Sequence, residues 1–273
     1  MNNLHRELAP ISDVAWAQIE EEASRTLKRY LAARRIVDVS APQGYALAAT
    51  GTGHTKLLES PDEGLRVLQR LVDPVVEFRV PFTLLRQEID DVERGSNDSD
   101  WLPLKEAARK IAYAEDRAIF DGYRAAGLKG IREGASNAKF SLPSSVRGYP
   151  TVIAQALNEL RLAGVNGPYR LVLGTEAFTK VSGGDDEGYP VLKHIQRLIE
   201  GDVIWAPAIQ GGVIVTTRGG DFQLTLGQDL SIGYLSHTEK EVELYLQESF
   251  SFRLLTTEAV VELTTKLGSE NPE

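Results

Sequence analysis

The sequence predicts an α+β fold, and three observations carry the prediction. A long amphipathic helix opens the chain, and a second follows a charged, proline-bearing β stretch. The residues after 220 read almost wholly as β. Residues 150–217 alternate between helix and strand, but the order as a whole is neither a regular βαβ repeat nor a sandwich.

The first helix starts at Ser12 or Asp13, either of which can cap it after Pro10. Trp16, Ile19, Ala23, Leu27 and Tyr30 then share one helical face. RRIVDVSAPQG reads as a short strand ended by Pro42 and Gly44, and residues 45–60 as a β-hairpin. In EFRVPFTLLRQEID, Pro81 sits mid-run, which argues for an edge or protruding ribbon. A partner chain could pair with the exposed backbone of such an arm. Its dense charges, Glu88, Asp90, Asp91, Glu93 and Arg94, suit either a solvated edge or docking to a neighbouring subunit.

The second helix follows Ser99-Asp100, has Pro103 in its first turn and runs to about Tyr123. Leu104, Ala108, Ile111, Ile119 and Tyr123 lie on its stripe. Further elements are expected as helices at 151–163, 175–181 and 190–200 and as strands at 169–173, 202–206 and 212–217. A meander of FQLTLG, LSIGYL, EVELYLQESFSFRLLT and AVVELTT closes the chain. The polar tail GSENPE reads as frayed.

Composition narrows the function. The 273 residues are 42% hydrophobic and 25% charged, ample for a sizeable core. The absence of cysteine removes disulfides and thiolate chemistry and fits a cytoplasmic protein. With a net charge of -9 and only a brief basic stretch at Lys28, Arg29, Arg34 and Arg35, no nucleic-acid partner is expected. No stretch approaches the ~20 apolar residues of a membrane span, and the N-terminus lacks a signal-peptide core, so no membrane partner is expected either.

Catalytic motifs are missing. His5, His54, His194 and His237 share no metal-ligand spacing. TGTGHTK at 50–56 lacks the spacing of a phosphate loop and reads as a hairpin turn. Asp90-Asp91, Glu115-Asp116 and Asp185-Asp186 could do acid–base work only in a cleft that shifts their pKa values. SGGDDEG at 182–188 lacks the alternating ligands of a calcium loop and reads as an exposed mobile loop. Neither an enzyme nor a resident cofactor or metal is expected.

Several blocks carry a family resemblance. MNNLHRELAPISDVAWAQIEEEA, ARRIVDVSAPQG, RVPFTLLRQEIDDVERGSNDSD and EDRAIFDGYRAAGLKGI are similar to encapsulin shell sequences. So are GPYRLVL, VIWAPAI, TTRGGDFQLTLGQDLSIGYLSH and LYLQESFSFRLLT, in the same order and over essentially the whole chain. The chain most resembles the actinobacterial members once described as linocin-type bacteriocins or culture-filtrate antigens. The resemblance implies an HK-97-type phage capsid fold with a peripheral domain, an axial domain and an extended loop. Residues 1–60 would hold the N-terminal helix and first part of the peripheral domain, and 61–95 the extended loop. Residues 96–134 would hold the spine helix, 135–220 the axial domain, and 221–273 the rest of the peripheral domain with the tail.

Function would follow by the same route: self-assembly into an icosahedral nanocompartment of about sixty subunits or a multiple. Arg79, Phe82, Arg86, Glu88, Asp90, Asp91, Glu93 and Arg94 would make inter-subunit contacts on the extended loop. The five-fold pore loop would comprise Ser182, Gly183, Gly184, Asp185, Asp186, Glu187, Gly188 and Tyr189, whose acids would favour cations. Cargo enzymes would dock by a C-terminal targeting peptide, a dye-decolourising peroxidase being favoured over a ferritin-like protein. Any haem or iron would belong to the cargo. The peptide would meet Leu27, Tyr30, Leu31, Arg34, Ile36 and Asp38, with Leu230, Ile232 and Tyr234 opposite. Leu27 and Tyr30 equally suit plain core packing, whereas the charges of Arg34 and Asp38 do not. Some relatives hold flavin through a tryptophan on the extended loop; Gln87 stands at that place, so no flavin is expected. The alternatives are a phage major capsid protein, or a hydrolase or bacteriocin.

Overall fold

Ser12 caps the first helix, α1 (Asp13–Tyr30), its hydroxyl accepting from the Ala15 N–H. In this computed structural model, which describes residues 3–265, the predicted stripe is the buried one. Trp16, Ile19, Ala23 and Leu27 all lie in the core, Ile19 and Leu27 each contributing about 1.5–3 kcal/mol. A short 3-10 turn, Ala33–Arg35, leads to β1 (Asp38–Val39). Next come β2 (Ala49–Leu58), β3 (Val67–Pro74) and β4 (Val76–Leu85), then α2 (Arg86–Glu93), α3 (Leu102–Phe120) and the single turn α4 (Ile131–Gly134).

The middle of the chain contains β5 (Phe140–Leu142), α5 (Tyr149–Leu162), β6 (Tyr169–Leu173) and α6 (Thr175–Gly183). A tight hairpin of β7 (Asp185–Asp186) and β8 (Tyr189–Pro190) precedes α7 (Val191–Ile199) and β9 (Val203–Trp205). The chain continues as β10 (Gly212–Thr216), β11 (Phe222–Leu226), β12 (Ser231–His237), β13 (Glu241–Leu254) and β14 (Val260–Thr265). The expected GSENPE tail lies outside the described residues.

Two five-stranded sheets organise these elements. In the first, β13 is the spine: β12 and β11 run antiparallel along one edge and β4 along the other, with β1 parallel to β11. The second runs β5-β14-β10-β6-β9. One cluster, with α1, α2 and α3, fills one side of the first sheet. Another, with α5, α6 and α7, packs on the second sheet. A third, including Phe120, Ile204, Phe222 and Phe250, joins the two halves.

Three expectations are corrected. The protruding ribbon is β2–β3, residues 49–74, rather than 61–95, and β2 is one strand of it rather than a whole hairpin. TGTGHTK forms a bulge within β2, where the register shifts between Gly51 and Thr55, and not a turn. The stretch around Pro81 instead pairs with β13 for ten residues, from Leu85↔Glu241 to Val76↔Phe250. β4 is still an edge, as a proline demands; its alternating residues Phe82 and Leu84 bury beneath the sheet, which is why it cannot protrude. Finally, β14 crosses to the second sheet, between β5 and β10, so the C-terminal residues do not all complete the first half.

Candidate functional site

The C-terminal half of α1 and the start of β12 flank a groove of about 410 Å³. Leu27, Leu31, Leu230 and Ile232 supply its apolar wall, as expected, and Leu246 of β13 adds to it. Helical spacing brings Ala23, Leu27 and Leu31 to one side of α1. Charged groups stand around this apolar surface. Arg6 pairs with Glu20 at 2.5 Å and stacks over Trp16, while Lys28 and Asp229 complete the lining with Arg34.

Arg34 anchors a buried ion cluster behind the groove. Its guanidinium donates Nε and Nη2 to Glu115 at 2.9 and 2.6 Å, Nη1 to Asp229 at 2.7 Å, and Nη2 to Glu248 at 3.2 Å. Glu115 and Glu248 are fully buried. One cation therefore faces three carboxylates. Burial opposes the Arg34 charge, yet the Glu115 hydrogen bond and the surrounding carboxylates raise its pKa above the ordinary value. Burial, then the charge and hydrogen bond of Glu115, raise Glu248 well above the carboxylate range. Glu248 Oε1 is buried without a hydrogen-bond partner, so nothing offsets the burial that favours the neutral carboxyl. Next to this pair, burial pushes Asp116 up to about 7, although the N–H groups of Ala33 and Ala32 donate to it.

The other expected groove residues lie elsewhere. Tyr30 packs edge-on to Tyr113 and against Trp205, on another face of α1. Ile36 is core, and Asp38 accepts from the Gly220 N–H at 2.6 Å, pinning a turn. Tyr234 packs on the core beneath α1 and bonds His237 Nδ1. The charge of Arg34 is spent inside the fold, so only its groove-facing edge is open.

The charge run is on α2, not on the arm. Ile89 and Val92 bury α2 against α1 and α3, Asp91 pairs with Arg94, and Glu88 caps the Asp100 N–H. Asp90 and Glu93 are exposed, and the Arg86 N–H bonds the Lys240 carbonyl. Arg79 bonds Gln247 and stacks over Tyr245, and Phe82 is buried. None of these eight is on the ribbon. The arm instead presents Leu57, Leu68 and Val72 to solvent.

Ser182 and Gly183 close α6, and Gly184 precedes the β7–β8 hairpin. Asp185 opposes Pro190 and Asp186 opposes Tyr189. Glu187 and Gly188 turn the chain with φ of 51° and 87°, the geometry of a two-residue hairpin turn, so the segment is an ordered hairpin rather than an irregular loop. Neither aspartate has a basic partner among the described residues.

Of the ion cluster, sequence reasoning named Glu115 only as half of an acidic pair and did not single out Glu248, although both positions were readable. Glu115 sits on the α3 stripe between Ile111 and Ile119, and Glu248 alternates in phase with Leu244, Leu246 and Phe250. A charge at an inward position is a signal in itself. Among the described residues, no group of three or more potential metal ligands exists, and no helix is long and apolar enough to cross a membrane.

Solved structures with this architecture are particle-forming proteins. The chain is similar to the virus-like particle from Pyrococcus furiosus, with a TM-score of 0.63 at 16% identity, over 90% of this chain and 98% of that one. It is also similar to the capsid of Myoviridae Phage XM1, with a TM-score of 0.53 at 12% identity, over 86% and 92%. Two such sheets, a long central helix and a projecting β arm define the HK-97-type capsid class.

Within that class the family is specific. The Linocin_M18 family model, an encapsulating protein for peroxidase, matches residues 1–251. The Type 1 encapsulin shell protein of Rhodococcus erythropolis is 56% identical over 263 residues, 96% of this chain and all of the relative. That of Mycobacterium tuberculosis is 55% identical over 264 residues, 97% of this chain and again the whole relative. The chain belongs to the type 1 encapsulin shell proteins, the structural subunits of capsid-like nanocompartments.

Proposed function

We propose that this shell encloses a cargo enzyme, a dye-decolourising peroxidase in preference to a ferritin-like protein, by holding its C-terminal targeting peptide in the groove between α1 and β12. The observation that carries the reading is the groove itself. Leu27, Leu31, Ile232 and Leu246, all buried, and the half-buried Leu230 form the apolar floor of a concave site beside charges that can orient an extended segment. A docked apolar peptide would cover Leu230 and what remains open of this floor, removing it from water. The family's description as an encapsulating protein for peroxidase supports the choice of cargo.

The same reading has about sixty subunits, or a multiple, closing a cytoplasmic compartment. The β2–β3 arm reaches a neighbour, the acidic β7–β8 hairpin rims an opening, and the shell contributes no catalysis. The test is co-expression of peroxidase cargo with a Ser24→Asp/Leu230→Asp shell, changed at groove residues that are only partly buried. Cargo per particle should fall at least tenfold with particles of unchanged size, because two carboxylates would meet apolar peptide. Wild-type loading of intact particles would reject the groove.

A further inference from the structure

A second cleft, of about 530 Å³, lies on a different side of α1 from the groove, between α1 and α3. Glu22 stands 3.7 Å from Lys105, and the Tyr30 ring is 5.6 Å from that of Tyr113. The two helices therefore run side by side in the same direction. Each presents a pair of cations four residues apart: Arg25 and Arg29 on α1, Lys105 and Arg109 on α3. Like charges at that spacing repel along each helix, and here the two pairs also face one another. The subunit is acidic as a whole, with a net charge of -9, so this local excess is against its trend.

The carboxylates present do not neutralise it. Glu22, nearly buried on the floor, accepts from Arg25 and Thr26 and attracts Lys105. That uses Arg25 and Lys105. Arg29 and Arg109 have no carboxylate within ion-pair reach among the described residues, and Glu106 at the mouth reaches neither. Arg29 leans over the rings of Tyr30 and Trp205, at 5.9 and 6.0 Å. Four cations against two carboxylates leave about two positive charges, arranged as guanidinium forks at an aromatic wall.

We propose that this cleft binds a phosphate-bearing anion, with Arg29 and Arg109 as its principal ligands. A phosphate monoester supplies close to two negative charges and three acceptor oxygens, which matches the excess and the paired N–H geometry of two guanidiniums. A single carboxylate would leave one cation unmatched. The site shares no lining residue with the groove, so it stands whether or not a cargo peptide docks there.

The test uses cargo-free assembled particles and calorimetric titration with inorganic phosphate and with adenosine monophosphate, on wild type and on Arg29→Gln/Arg109→Gln. Saturable binding near one site per subunit is expected. It should weaken at least tenfold in the double variant and decline as sodium chloride is raised. Equal affinity for the two probes assigns the site to the phosphate group alone. Tighter binding of the nucleotide adds the Tyr30 ring that lines the cleft. If the double variant does not assemble, Arg109→Gln, on the exposed side of α3, is read in the same way. No saturable phosphate binding to wild type, or binding unchanged in the variant, overturns the proposal.

Discussion

Arg34 sits where a single side chain decides whether two others can be buried. With the guanidinium gone, Glu115 and Glu248 would lie fully enclosed with no counter-charge. Arg34→Met should therefore cost about 3–5 kcal/mol, read as a lower urea midpoint. Glu248→Gln should instead stay within about 1 kcal/mol of wild type, because burial and the neighbouring Glu115 already favour the neutral form of the carboxyl it replaces. A loss from Glu248→Gln as large as that from Arg34→Met would contradict this assignment. The pH dependence follows the same logic. Asp116, at about 7, and Glu248 both bind protons more tightly folded than unfolded. From the ordinary carboxylate range upward the folded chain holds more protons, so their contribution to stability falls as pH rises. For Asp116 the fall levels off above about 7. Glu248→Gln should flatten part of that slope in denaturation midpoints taken from acid to neutral pH. An unaltered slope would show that Glu248 does not titrate there.

At the scale of elements, the β2–β3 arm is the part least satisfied by its own chain. Leu57 and Leu68 are direct cross-strand partners, 65% and 44% exposed, on a two-stranded ribbon that joins neither large sheet. An isolated hairpin is marginal in water, so such a ribbon needs a surface to lie on. Leu57→Asp/Leu68→Asp should leave the 30.0 kDa subunit folded but prevent particle formation, seen as a shift from particle to subunit in light scattering. Normal particles would show that the arm does not carry the contact. The arm also shows how far local reading reaches. Pro81 correctly marked an edge strand, but an edge can lie in a sheet or project, and β-formers with charges are common to both. The partner that settles it, β13, lies far along the chain from β4, where no local pattern points to it.

For the whole molecule, the acidic hairpin and the groove matter only when many copies meet. Asp185→Asn/Asp186→Asn removes two unpaired charges from an exposed tight turn, so assembly should be unaffected. If the turns of several copies ring an opening, entry of a cationic dye or metal ion should slow by roughly tenfold at low salt, measured by stopped flow on loaded particles. Equal entry rates would remove the hairpin from any role in permeability.

The chain's own order of residues determined which segments become helix or strand, because periods of 3.6 and 2 residues are local properties. Ser12, the α1 stripe, Pro103 and the strand Tyr169–Leu173 were all legible in this way. The apolar half of the groove was legible too, from the family blocks and the helix face carrying Leu27 and Leu31. Only the tertiary structure decided which strands share a sheet, that β14 leaves the meander for the other half, and that Arg34 closes on Glu115 and Glu248. It alone brought the cations of α1 opposite those of α3. These contacts join residues 81 and 214 positions apart, and at such separations meeting is governed by which apolar faces must be buried together.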